Sequence, residues 1–320
     1  MHGRVKSIER EHEQQKTIEQ RQEEVSKVRM YHDVASKVLE MKRQQLYEPS
    51  VLPLTSHLLL LNPEFHMLWS YRRQVITALA KKADNCASKM QEMAKRELEM
   101  TLNALQRNPK SYSAWFQRKW IIDQGLGDLK REIGLCDKLL DLDERNFHCW
   151  NYRRYVCEMA GVSKTEQLAF TTKKIEQNFS NYSALHHRST VLPEPITVDV
   201  LSSEIEFVQQ AVFTEPDDQS AWFYYRWLLT SMLDLMKPSL EDAAGFLKTQ
   251  VQWLEQLLDM EKDAKWVVVT LADVHDRVGA MTSVDGWQDS KKQSVELYER
   301  AIKLDPSHRR YYEDRKTRFS

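Results

Sequence analysis

What most limits the fold of this 320-residue chain is a phrase that it repeats: an acidic residue or Asn, often followed by Pro, then an aromatic residue, then Arg three or four positions on. It stands as Asn62-Pro63 with Trp69, Arg72 and Arg73, as Asn108-Pro109 with Trp115 and Arg118, and as Asp143 with Trp150, Arg153 and Arg154. At Asn178, Leu185 takes the aromatic position ahead of Arg188. Three weaker copies follow: Glu215-Pro216 with Trp222 and Arg226, Glu261 with Trp266, and Asp305-Pro306 with Tyr312 and Arg315. Self-similarity at a period of this size marks stacked supersecondary units, none of which buries its apolar face alone.

Counting back from each anchor tests that reading. Residues at −10, −7 and −3 are Leu52, Thr55 and Leu59 in the first copy and Leu98, Thr101 and Leu105 in the second. The third and fourth copies have Ile133, Cys136, Leu140 and Leu168, Thr171, Ile175. The pattern persists through Ile205, Val208, Val212, then Val251, Leu254, Leu258, and finally Val295, Tyr298, Ile302. Spacing of i, i+3, i+7 is one face of a helix. The anchors at 62, 108, 143, 178, 215, 261 and 305 lie 35 to 46 residues apart, enough for two helices and two short connections. Asn-Pro or Asp-Pro ends the first helix, because Pro lacks an N–H and forces the residue before it out of the α region. On the second helix the Trp and Arg share a face, so the Trp fills space between hairpins while the Arg reaches a carbonyl or carboxylate. These residues are read as architectural, since repetition favours structure over catalysis.

Composition agrees. Eight Gly and nine Pro in the whole chain leave little room for strands and turns. Charged residues make up 29% yet balance to a net charge of −1, so no excess points to nucleic acid or an anionic membrane. Cys86, Cys136, Cys149 and Cys157 form no CxxC pair and are read as reduced thiols in a cytoplasmic protein. No apolar stretch approaches the roughly 20 residues of a membrane span. The expected fold class is all-α: seven helical hairpins in one solenoid over 48–320, preceded by a charged helical segment at 1–47. In that segment Val25, Val28, Tyr31, Val34, Val38 and Met41 are spaced as a helix, while the part before Val25 is too polar to bury a face.

The segments NPKSYSAWFQRKW at 108–120, DERNFHCWNYRR at 143–154, NFSNYSALHHR at 178–188 and EPDDQSAWFYYRW at 215–227 resemble the repeat of the protein prenyltransferase α-subunit family. With the weaker copies, the resemblance covers residues 50–320. It implies a right-handed superhelix, a crescent that wraps a β subunit. Within the family the opening Met1-His2-Gly3-Arg4 and the phrases DERNFHCW and NFSNYSAL are similar to the branch that acts on Rab GTPases, rather than to the α subunit shared by the CaaX farnesyl- and geranylgeranyltransferases. Some Rab-type subunits carry an immunoglobulin-like domain and leucine-rich repeats; this sequence contains neither, and those modules are expected to be dispensable.

The resemblance also assigns the chemistry. The β subunit is expected to hold the zinc, the geranylgeranyl diphosphate and most catalytic groups, with a Rab GTPase presented on its escort protein. No HExxH, Gly-rich phosphate loop or nucleophile with its base occurs here, and the adjacent His186 and His187 point to different sides of a helix. Lys110 and Tyr112 match the Lys-x-Tyr of the family's second repeat, whose Lys reaches the diphosphate across the dimer seam; Ser111 stands where the shared subunit tends to have Asn. His2 matches an N-terminal histidine that serves as an additional ligand to the partner's zinc. Two other readings compete: the shared CaaX α subunit, and a non-enzymatic helical-repeat scaffold binding peptides on its inner face. Lys110 paired with Tyr112 in one repeat only argues against the scaffold.

Overall fold

The computed structural model describes residues 17–281 and 284–317, and among them every regular element is a helix. The first, α1 (Ile18–Arg43), opens with a capping box in which Thr17 and Gln20 exchange side-chain-to-backbone bonds. Seven hairpins follow. Their first helices are α2 (Val51–Leu61), α4 (Cys86–Arg107), α6 (Leu129–Leu142), α8 (Lys164–Gln177), α10 (Val198–Thr214), α12 (Leu240–Met260) and α14 (Val284–Leu304). Their second helices are α3 (His66–Lys82), α5 (Tyr112–Asp123), α7 (Phe147–Met159), α9 (Tyr182–Thr190), α11 (Gln219–Met236), α13 (Lys265–Met281) and α15 (Arg309–Thr317), the last entered through a 3₁₀ turn at Pro306–His308. The chain forms two compact units, residues 1–160 and 161–320.

Every anchor closes its hairpin in the same way. Its N–H donates to the carbonyl four residues back, as Asn62 does to Leu58 and Asp305 to Ala301, both at 2.8 Å, and its own carbonyl accepts from the N–H three residues on. The side chain adds an Asx turn: Asn62, Asn108, Asp143 and Asn178 each accept from the backbone N–H two residues later. Since α6, α8 and α12 stop at Asp143, Asn178 and Glu261 without any Pro, the turn rests on the anchor's own bonds and Pro only reinforces it. Three residues past the anchor, Ser111, Asn146, Asn181 and Asp218 cap the second helices through their side-chain oxygens.

The expected Trp–Arg division of labour holds in the strong copies. Trp69, Trp115, Trp150 and Trp222 are buried, and each indole N–H donates to the carbonyl just after its anchor, at Pro63, Pro109, Glu144 and Pro216. Arg72 reaches back to the Leu52 carbonyl and Thr55 hydroxyl and forward to Glu97 with two parallel bonds of 2.9 and 2.5 Å. Arg118 does the same with Leu98, Thr101 and Glu132, and Arg188 with Leu168, Thr171 and Glu204. The carboxylates of Glu97, Glu132 and Glu204 all stand eleven residues before an anchor and are buried.

One reading of the repeat needs correction. In the Glu261 copy, Trp266 is half-buried against Phe223, and the core position belongs to Val268, fully buried with Ala272, Tyr298 and Tyr312 in the C-terminal unit. The packing position is seven residues past the anchor and Trp266 is five past, on another face of the helix. In α1, Val25, Val28 and Met30 are exposed although the helix begins at Ile18; only Ala35 and Val38 are buried, where the chain approaches α2.

Candidate functional site

The turn between α4 and α5 places Lys110 and Tyr112 at one end of the second hairpin. The Asn108 side chain accepts from the Lys110 N–H at 3.2 Å, and Ser111 caps α5 by accepting from Ala114 at 3.2 Å. Ser111 is fully buried and its hydroxyl also donates to the Pro63 carbonyl of the preceding hairpin, tying this turn to its neighbour. With the turn pinned at both ends, the Lys110 side chain projects outward. It is exposed, and among the described residues its ammonium has no ion-pair or hydrogen-bond partner. Tyr112, the first residue of α5, is 63% exposed.

A third side chain completes the cluster. His148, one residue into α7, is buried and lies edge-on to Tyr112, the ring centroids 4.2 Å apart at 89°. Phe147 packs on the same imidazole at 3.9 Å and reaches Tyr112 at 6.1 Å. Burial lowers the His148 pKa from its ordinary value; the Glu64 carboxylate opposes that shift and the Lys110 ammonium adds to it. The imidazole is therefore neutral at pH 7, and Lys110 is near enough to be felt by it. Alignment across hairpins is exact in register: Asn146, the cap of α7, donates its amide to the Pro109 carbonyl at 3.0 Å, tying the turn that carries Lys110 to the helix that carries His148.

Thus Lys110 and Tyr112, expected from sequence to act together, share one surface, and His148 joins them without having been singled out. Its signal was present in the phrase DERNFHCW, where it follows the aromatic that begins α7 just as Ser113 follows Tyr112. The cluster offers a mobile cation, a phenol hydroxyl and a neutral imidazole beside aromatic walls. Chemically, such a set is suited to meeting an anion and to stabilising charge that develops on it. His2, the expected zinc ligand, lies outside the described residues. Among the described residues no group of His, Cys, Asp and Glu is placed to hold a metal. His187 is buried and His186 exposed, on different sides of α9 as expected. Nor, among the described residues, is any helix long and apolar enough to cross a membrane.

Comparison with known proteins places this architecture. The model of the protein prenyltransferase alpha subunit repeat matches residues 94–125, 129–160, 165–194 and 201–232, which span the turn of Lys110 and the start of α7. The geranylgeranyl transferase type-2 subunit alpha of Dictyostelium discoideum is 33% identical over the full length of both chains. The human protein of that name is 41% identical over 242 residues, covering 72% of this chain and 42% of the human one, so the chain spans well under half the length of its mammalian relatives. Among solved structures, a Candida albicans protein geranylgeranyltransferase-I complexed with GGPP shares the fold, with a TM-score of 0.73 at 20% identity and 91% of each chain covered. Full-length identity to a curated subunit, four matched repeats and a common fold lead to one conclusion: the chain belongs to the protein prenyltransferase α-subunit family.

Proposed function

We propose that this chain is the α subunit of a cytoplasmic Rab geranylgeranyltransferase, an obligate heterodimer that moves a geranylgeranyl group from its diphosphate to C-terminal cysteines of Rab GTPases presented by an escort protein. The observation that carries the reading is the Lys110–Tyr112–His148 cluster, a cation, a phenol and an imidazole gathered at one turn of the chain. In this reading a β subunit would supply the zinc that activates the acceptor thiol, and His2 of this chain would serve as an additional ligand to that metal when no substrate is present.

As the carbon–oxygen bond to the isoprenoid breaks, negative charge gathers on the diphosphate. A cation aimed at that group stabilises the transition state more than the ground state. Lys110 fits the role because its ammonium is exposed and unpaired among the described residues, so no internal partner must be given up when it meets the diphosphate. Tyr112 adds a hydroxyl donor. His148 keeps the phenol ring in place by edge-on packing, and as a neutral group it does not compete with Lys110 for the anion.

Single-turnover transfer by the assembled heterodimer tests this. Lys110→Ala should lower the chemical step by about 10² to 10³, with little change in KM, as for loss of one electrostatic contact to a developing charge. Tyr112→Phe should cost less, about 0.5 to 1.5 kcal/mol for one neutral hydrogen bond. A wild-type rate for Lys110→Ala would remove the role assigned to this lysine.

A further inference from the structure

Away from the Lys110 cluster, the N-terminal unit contains a cavity of about 320 Å³ between α2, α3 and α4, within the size range of small-molecule sites. Part of its lining comes from the N-terminal turns of α4. This helix has 22 residues where α6 and α8 have 14, and its extra N-terminal turns carry Lys89 and Met93 past the end of the packing used by the shorter hairpins. Leu52, Ile76, Leu79, Met93 and Met100 form an apolar wall. The two methionines are unbranched and polarizable, suited to following the outline of a flexible chain.

The mouth differs from the wall. Lys89 and Arg96 stand on the α4 side, and both pair with one carboxylate, Glu92, at 2.9 and 2.6 Å. Two cations sharing one anion leave a positive charge at the entrance, and these exposed pairs are weak enough for a ligand to replace. Deeper in, Arg72 also borders the cavity, but its charge is matched by Glu97 and its guanidinium also bonds the Leu52 carbonyl and the Thr55 and Ser56 hydroxyls. Positive charge available to a ligand is therefore confined to the rim. On the opposite side Pro49 and Pro53 present no N–H, and the walls are helices with satisfied backbones, so an extended peptide would find nothing to pair with.

We propose that this cavity is a binding site for a single-chain amphipathic anion, an aliphatic tail lying along Leu52, Ile76, Leu79, Met93 and Met100 and a carboxylate or phosphate head at Lys89 and Arg96. The site is separate from the residues assigned to the prenyl-transfer reading and does not depend on that reading.

Titration calorimetry on the full chain tests it with three probes of equal tail length, each below its micelle concentration: decanoate, decyl phosphate and decyltrimethylammonium. One-to-one binding of at least one of the two anions is expected, with the cation about tenfold weaker or more, the size of one charge-assisted contact. Whichever anion binds more tightly identifies the head group. Lys89→Gln with Arg96→Gln should reduce anion affinity by about the same factor and bring it level with the cation. Met93→Trp fills the cavity and should abolish binding; Leu79→Phe, at a half-buried wall position, repeats the test should the larger change disturb folding, with circular dichroism and melting checking both. Failure of both anions to saturate, equal affinity for the cation, or unchanged binding in folded Met93→Trp and Leu79→Phe would overturn the proposal. Binding of an acidic amphipathic helical peptide, lost in Met93→Trp while neither alkyl anion binds, would also overturn it in favour of a protein partner.

Discussion

Arg72, Arg118 and Arg188 are each held by a carboxylate that the following helix supplies, and Arg153 by Asp137 of the helix before it, and this pairing sets what single substitutions do. Glu132 accepts two bonds from Arg118, at 2.5 and 2.7 Å, and a third from the Tyr152 hydroxyl at 2.8 Å. Replacing it by Gln leaves a guanidinium buried without its counter-charge, which should cost about 3 to 5 kcal/mol in urea unfolding followed by circular dichroism. Asp137→Asn should cost clearly less, because the Asp137 carboxylate paired with Arg153 is 39% exposed and water can replace it. These acids were hidden in the sequence. A Glu four residues before the core position at Thr101, Cys136 or Val208 reads as a solvated position, since Glu is almost never fully buried unless paired, and the pairing appears only when the hairpins stack. His148 was hidden for the same reason, its neighbours being 36 to 38 residues away at Lys110 and Tyr112. Its depressed pKa gives a second test. Below about pH 6.5 the unfolded chain takes up a proton on this residue that the folded chain resists. The stability it contributes is thus present above that pH and lost as pH falls toward the folded pKa. An NMR titration should place the His148 midpoint below about 6.5, lowered further by Glu64→Gln and raised by Lys110→Ala. A midpoint at or above the ordinary value would contradict the burial seen at this site.

At the scale of the element, the hairpin is a turn closed from three directions: by the anchor's backbone, by its Asx side chain, and by the indole that donates to the next carbonyl. The position of the turn and of the Trp was legible in the repeated phrase, but the turn was credited to Pro, and the bonds of the anchor and the indole that close it became visible only in the folded hairpin. The arrangement also explains the one misplaced copy. Where Trp266 falls at five, the helix presents it to another face, and spacing rather than residue type decides which side chain is core. Trp222 tests the indole bond. Trp222→Phe keeps most of the ring but loses the 2.7 Å bond to the Pro216 carbonyl, and should cost about 0.5 to 1.5 kcal/mol beyond the change in packing; Trp222→Ala should reach about 3 to 5 kcal/mol. If denaturation midpoints for Trp222→Phe and wild type coincide, that bond contributes nothing and the Trp is retained for its volume alone.

For the whole molecule, the exposed side chains are as informative as the buried ones. Beside Tyr112, the N-terminal unit exposes Phe116 at 58%, Phe147 at 49% and Leu142 at 84%. Apolar and aromatic groups left in water are what a partner-binding surface looks like before the partner arrives. They support the proposed heterodimer and imply that the isolated chain self-associates. Resemblance in the repeats made the partner's existence readable, whereas the surface that meets it depends on which aromatic residues the hairpins leave outside, which periodicity alone does not reveal. The most direct measurement is transfer of labelled geranylgeranyl to a Rab C-terminal cysteine in the presence of escort protein, by this chain, by a Rab-type β subunit, by a CaaX-type β subunit, and by each mixture. The account predicts transfer only from the mixture with the Rab-type β subunit; turnover by the chain alone, or only with the CaaX-type β subunit, would contradict it.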